Sequence, residues 1–191
     1  MSLRYIPNWE RELKFKYAEE WLDNAVSELR KYFSIFGYHI PEVLVSCGHG
    51  VDGYNPSRKS NNLGFCMKKC FSKDNLNMIY ISPAIEAPEE IIDVLAHELI
   101  HAIDDCFSMH GETFKDVART IGLYERGIRG ISEVDYKNCL KKFSEIANAL
   151  GRYPRSGVNY KETFCIKDDG YQIKLTTERE RKNARKRMRQ V

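Results

Sequence analysis

One stretch constrains this chain more than any other: PEEIIDVLAHELIHAIDDCFS, residues 88–108. Pro88 suits a first helical turn, and Glu89 and Glu90 complement the positive end of a helix dipole, so a long helix is expected over 88–108. At about 100° per residue its side chains separate into two arcs. Ile91, Ile92, Leu95, Leu99, Ile100, Ile103 and Phe107 fall on one, with Ala102 and Cys106 among them. His97, Glu98, His101, Asp104, Asp105 and Ser108 fall on the other, with Val94. The apolar arc has to be covered by the rest of the chain. The polar arc gathers two histidines and three carboxylates.

Within that arc the spacing is His-Glu-x-x-His. Residues four apart stand one turn apart on one face, so both imidazoles reach a single ion about 2 Å from each nitrogen. A glutamate between them lies beside the pair, placed to take a proton from a water on the ion. His97 and His101 are therefore expected as zinc ligands, with Glu98 as general base. The competing reading is a solvated helix face carrying incidental histidines. It is the weaker one, because two of only five histidines stand at ligand spacing with the acid between them. A third ligand is needed. His110 is favoured: it follows His101 by nine residues, and Gly111 lets the chain turn back. His49, in the glycine-rich CGHG, is its rival. Asp104 and Asp105 also compete, and are read as acceptors for imidazole N–H groups or as solvated helix-end charges.

The other elements follow from periodicity and turn chemistry. Ala18, Leu22, Ala25, Leu29, Tyr32 and Phe36 recur at helical steps inside 9–36, which reads as a long N-terminal helix closed by Gly37. Strands are expected over 42–48, 63–69 and 77–82, with a glycine-rich loop over 48–62 between the first two. Helices are expected over 112–122 and 132–150. Residues 162–177 read as a β-hairpin about the Asp-Gly pair. The pattern is α+β with a small three-stranded antiparallel sheet and a C-terminal hairpin.

Composition narrows the class. A hydrophobic fraction of 42% and a charged fraction of 30% fit a soluble globular protein. The apolar runs are too short to span a bilayer, so no membrane partner is expected, and the first residues, MSLRYIPNWERELKFK, lack the apolar core of a signal peptide. Six scattered cysteines in such a chain are expected as reduced thiols in a cytosolic compartment, and Cys66–x3–Cys70 is weak as a metal signature. Residues 178–191 carry seven basic and two acidic side chains, +5 against +3 for the whole chain, which leaves −2 for the other 177 residues. The basic tail is expected either to contact nucleic acid through phosphates without sequence preference, or to be a solvated terminus. It has no aromatic residue for base stacking.

The run ISPAIEAPEEIIDVLAHELIHAID, followed by HGETFKDVARTIGL, resembles the SprT/Spartan family of zinc metallopeptidases, and the preceding NNLGFC is similar to that family's strand before the active-site helix. The likeness covers residues 15–125 and is strongest over 77–122. It implies His97, His101 and His110 as zinc ligands and Glu98 as general base. It also implies a zincin-like domain over 1–151, in which a long helix and a three-stranded sheet flank the metal helices. Eukaryotic members cleave proteins crosslinked to DNA, so the substrates implied are proteins, DNA-bound ones included, in the cytoplasm or at the nucleoid. Relatives carry a C-terminal zinc ribbon with paired cysteines. Here the hairpin holds only Cys165, so 152–177 is expected as a ribbon remnant and 178–191 as a separate tail. The expected activity is that of a zinc metalloendopeptidase. The alternatives are a non-proteolytic zinc-containing module associated with nucleic acid or a polymerase, and a different small zincin that cleaves a repressor.

Overall fold

The computed structural model describes residues 6–49, 62–123 and 129–155, together with the backbone of 165–168 and 171–174. Most of the glycine-rich loop, and the basic tail, lie outside the described residues. In chain order the elements are α1 (Ala18–Ile35), β1 (Val43–Cys47), β2 (Gly64–Met67), β3 (Asn77–Ile81), α2 (Pro88–Ile103), α3 (Glu112–Ile121), α4 (Glu133–Leu150), β4 (Cys165–Asp168) and β5 (Tyr171–Lys174). The architecture is α+β. The chain divides into two compact units at Gly157, the second holding β4 and β5 as an antiparallel pair.

The first sheet has the order β1-β3-β2. β2 pairs antiparallel with β3, but β1 pairs with β3 in parallel, Val43 opposite Asn77 and Cys47 opposite Ile81. The expected all-antiparallel sheet is thus corrected to a mixed one. The physical reason is the connection from Cys47 to Gly64. It is long enough to carry the chain across to the far edge, so that β3 returns up the middle. Asn77, Ile79 and Ile81 alternate as buried residues along β3, the period-two signature of a strand with one face on the core.

The N-terminal helix begins nine residues later than periodicity suggested. After a 3-10 turn at Asn8–Glu10 the chain forms neither helix nor strand as far as Tyr17, and it runs beside the end of α4. Asn8 and Tyr153 exchange two bonds, Nδ2 to the Tyr153 carbonyl at 3.1 Å and Tyr153 N–H to Oδ1 at 2.8 Å. Arg152 N–H donates to the Glu12 carbonyl at 2.7 Å. The buried Arg11 guanidinium donates to the Ile6 carbonyl, to Asn148 Oδ1 and to Glu89, which it meets as an ion pair. These long-range partners outweigh the helical propensity of 9–17. At Ala18 the helix starts, with the Glu20 carboxylate reaching back to the Lys16 and Tyr17 N–H groups.

The helix singled out by the sequence is the centre of the first unit. Ile91, Ile92, Leu95, Ala96, Leu99 and Ala102 are fully buried, and α2 packs against β2, β3, α3 and α4. Truncating Leu95 or Leu99 to alanine is expected to cost about 2–5 kcal/mol. Trp21 and Tyr153 close one end with an edge-to-face contact at 5.3 Å. Tyr32 ties α1 to the end of α3, donating to the Ile121 carbonyl at 2.6 Å, and burial raises its hydroxyl well above the usual phenol range. The expected third and fourth helices form with the caps their sequences carry: Gly122 in the left-handed region at φ 79° after α3, and Ser132 accepting from Asp135 N–H before α4.

Among the described residues no helix is long and apolar enough to cross a membrane.

Candidate metal centre

The helix α2 stops at Ile103, five residues before the expected end. Asp104 caps it, and the backbone then turns left-handed at Asp105 (φ 55°), Cys106 (φ 58°) and Met109 (φ 49°). Such conformations are costly for residues with a Cβ and persist only where surrounding contacts hold them. The contacts are present. Cys106 N–H donates to the His101 carbonyl at 2.7 Å, Ser108 N–H to Asp104 Oδ2 at 2.9 Å, and Gly111 N–H to the Ser108 carbonyl at 2.7 Å. Asp105 Oδ1 accepts from Lys69 N–H and from Asn77 Nδ2, both at 2.8 Å. The turn therefore doubles back, and Phe107, expected on the apolar arc, projects into solvent at 84% exposure. A β-carbon on Gly111 would stand 2.8 Å from the Ser108 carbonyl, so this turn requires glycine there.

The reversal brings His110 onto the face of α2 that holds His97 and His101. Nε2 of His101 lies 3.3 Å from Nε2 of His97 and 3.3 Å from that of His110, and the third side of the triangle is 3.1 Å. These three histidines are close enough to hold one metal ion. Burial, then the neighbouring His110, pulls the His97 imidazole down to about 4. Burial also pulls His101 down to about 4, helped by both other histidines and opposed by Asp104. Near pH 7 these two rings are neutral and offer lone pairs, the form that a metal ion takes.

Phe114, on the first turn of α3, is the platform under the triad. Its ring centroid lies 4.8, 4.7 and 4.9 Å from those of His97, His101 and His110, and the side chain is 1% exposed. The sequence marked Phe114 only as part of His-Gly-x-x-Phe. One ring stands against all three imidazoles.

Glu98 is 6% exposed and lies against β2. The approach is so close that a β-carbon on Gly64 would stand 2.5 Å from Glu98 Oε1. The face of β2 that carries Gly64 also carries Cys66, two residues on. Cys66 Sγ stands 3.4 Å from Cys106 Sγ. Hydrogen bonding to Cys106 and burial hold the Cys66 thiol far above its usual range. Gly64, Cys66, Asp93 and Cys106, with the three histidines and Glu98, line one cleft of about 510 Å³.

The remaining candidates are placed differently. His49 is not part of the histidine cluster. Asp105, read as an acceptor for an imidazole N–H or a solvated helix-end charge, clamps the turn to Lys69 and Asn77 through Oδ1. Asp104 braces the turn through Ser108, while its buried Oδ1 has no hydrogen-bond partner among the described residues. Cys70 is exposed and Cys66 faces Cys106, so the C-x3-C pair is not a site. No family model, curated protein or solved structure matches this chain.

Proposed function

We propose that this chain is a zinc-dependent metalloendopeptidase of the SprT-like, zincin kind. The observation that carries the proposal is the triangle of Nε2 atoms, 3.1–3.3 Å on a side, beside a buried glutamate and on an open cleft. Tetrahedral zinc, with nitrogen ligands at about 2.0–2.1 Å, has ligand edges of about 3.3–3.4 Å, so the donor set fits that ion with little rearrangement. His97, His101 and His110 would hold it. Bound there, zinc would bring the pKa of a water from 15.7 to about 7 and polarise a carbonyl.

The chain's own groups do the rest. Glu98 accepts the proton of the attacking water and returns it to the leaving amine. Gly64 keeps that carboxylate in place by letting the β2 backbone stand against it. Ile79–Ile81 belong to β3, the middle strand of the sheet, whose two sides are already paired. β2 is an edge strand and lines the cleft, so its outer edge is the better place for a substrate backbone to add. The charge of 178–191 supports DNA-associated proteins as substrates. Deleting that segment should abolish salt-dependent DNA binding.

The test is Glu98→Gln. Zinc-loaded wild type should cleave labelled casein, with or without single-stranded DNA, and the variant should lose at least about 100-fold while keeping its zinc. Equal cleavage by the variant would overturn the role of Glu98. A fully zinc-loaded wild type that cleaves neither casein nor DNA-bound protein would favour the non-proteolytic binding module.

A further inference from the structure

Two cysteines far apart in sequence meet at the rim of the histidine triad, and the proposed peptidase chemistry uses neither. Cys66 comes from β2. Cys106 comes from the left-handed turn between His101 and His110. Their sulfurs are 3.4 Å apart, and Cys106 Sγ also lies 3.6 Å from the Cys66 carbonyl. Both are free thiols, and both line the cleft, which opens to solvent. Joining them needs the sulfurs to close to about 2.05 Å.

We propose that Cys66 and Cys106 are a reversible disulfide site that ties β2 to the turn carrying His110, and that forming the bond weakens metal binding by the triad. The oxidant is a peroxide. One thiol sulfur attacks the O–O bond, giving a sulfenic acid and one water. The second sulfur then displaces the sulfenic hydroxyl, giving the S–S bond and a second water. Two thiols lose two electrons and two protons, and hydrogen peroxide becomes two waters. Thiol reductants reverse the bond by exchange. The consequence for the metal comes from the turn. Closing the sulfurs by about 1.3 Å pulls Cys106 toward β2. His110, four residues on in the same short turn, is drawn with it, whereas ligand positions tolerate about 0.2 Å. The effect on metal rests on the zinc reading of the triad; the bond does not, so the two fail separately.

The experiment uses the full-length chain, reduced and metal-free, treated with hydrogen peroxide and mapped by non-reducing peptide mass spectrometry. The expected product is a Cys66–Cys106 crosslinked peptide two hydrogens lighter than its parts. It should revert with dithiothreitol and be missing from both Cys66→Ala and Cys106→Ser. Zinc titration of the oxidised wild type should give binding at least about tenfold weaker, a difference of 1.4 kcal/mol, with full recovery on reduction and no oxidant effect in either variant. Free alkylation of Cys66 and Cys106 after peroxide, or a crosslink to Cys70 instead, would overturn the site. A clean Cys66–Cys106 bond with unchanged zinc affinity would overturn the coupling to the metal. If neither oxidation state binds zinc, the triad reading fails while the disulfide stands.

Discussion

Replacing Gly64 by alanine tests whether the β2 backbone sets the position of Glu98. The added methyl would stand 2.5 Å from Glu98 Oε1, 2.6 Å from Val94 Cγ1 and 2.8 Å from Glu98 Cγ. Ordinary carbon contacts lie at about 3.5–4.0 Å, so something has to give by about 1 Å. Glu98 is the end of a flexible side chain, but it is buried, and Val94 sits on the same rigid helix. Overpacking of this kind costs about 1–3 kcal/mol. For a chain of this length that lowers Tm by about 2–12 °C. Calorimetry on the metal-free protein reads it without interference from ligand binding. The decisive comparison is a double-mutant cycle. In a Glu98→Ala background two of the three close atoms are gone, so the cost of Gly64→Ala should shrink by about 0.5 kcal/mol or more. In the zinc-loaded wild-type background, a carboxylate displaced by about 1 Å should lower casein cleavage about 100-fold while leaving zinc content unchanged. An identical cost of Gly64→Ala in both backgrounds, or no cost in either, would refute the steric argument.

Asp105→Ala removes the acceptor shared by Lys69 N–H and Asn77 Nδ2 and should cost about 1–3 kcal/mol by urea denaturation. The bond from Lys69 N–H, aided by Asn77, holds the Asp105 carboxyl below the usual range. Because the folded pKa is depressed, this contribution is complete above the unfolded value near 3.9 and is lost as pH falls through the folded value. The alanine variant should therefore show a shallower loss of stability on acidification below about pH 4. Arg11→Ala strands the partly buried Glu89 and frees Asn148, so unfolding should come about 1.5–3 kcal/mol earlier by the same method. Wild-type stability in that variant would mean that the 6–17 segment is not held by Arg11.

The parts of the site that were legible in the sequence are those with a strict period. His97, Glu98 and His101 share one helix, where spacing dictates facing, and His110 was within reach because Gly111 marks a reversal. What the sequence hid depended on contacts between distant residues. Nothing near residues 9–17 announces that Asn8 will bond Tyr153 or Arg11 will pair with Glu89, so local periodicity overextended the first helix. The end of α2 was hidden for the same reason. Asp105 leaves the helix to serve Lys69 and Asn77, whereas the apolar residues beyond it, Cys106 and Phe107, kept up the helical pattern. The parallel pairing of β1 with β3 is a matter of topology, and three successive strands carry no local mark of which one lies in the middle. The meeting of Cys66 and Cys106 follows from both of these, since it needs β2 at the edge beside α2 and the turn folded back.

Metal content is the most direct test of the account, read by native mass spectrometry on the full chain after zinc loading and desalting. One zinc per chain is expected for wild type and for Glu98→Gln, with occupancy lost in His97→Ala, His101→Ala and His110→Ala alike. A wild-type chain without zinc, or retention of the ion after His110 is removed, would contradict it.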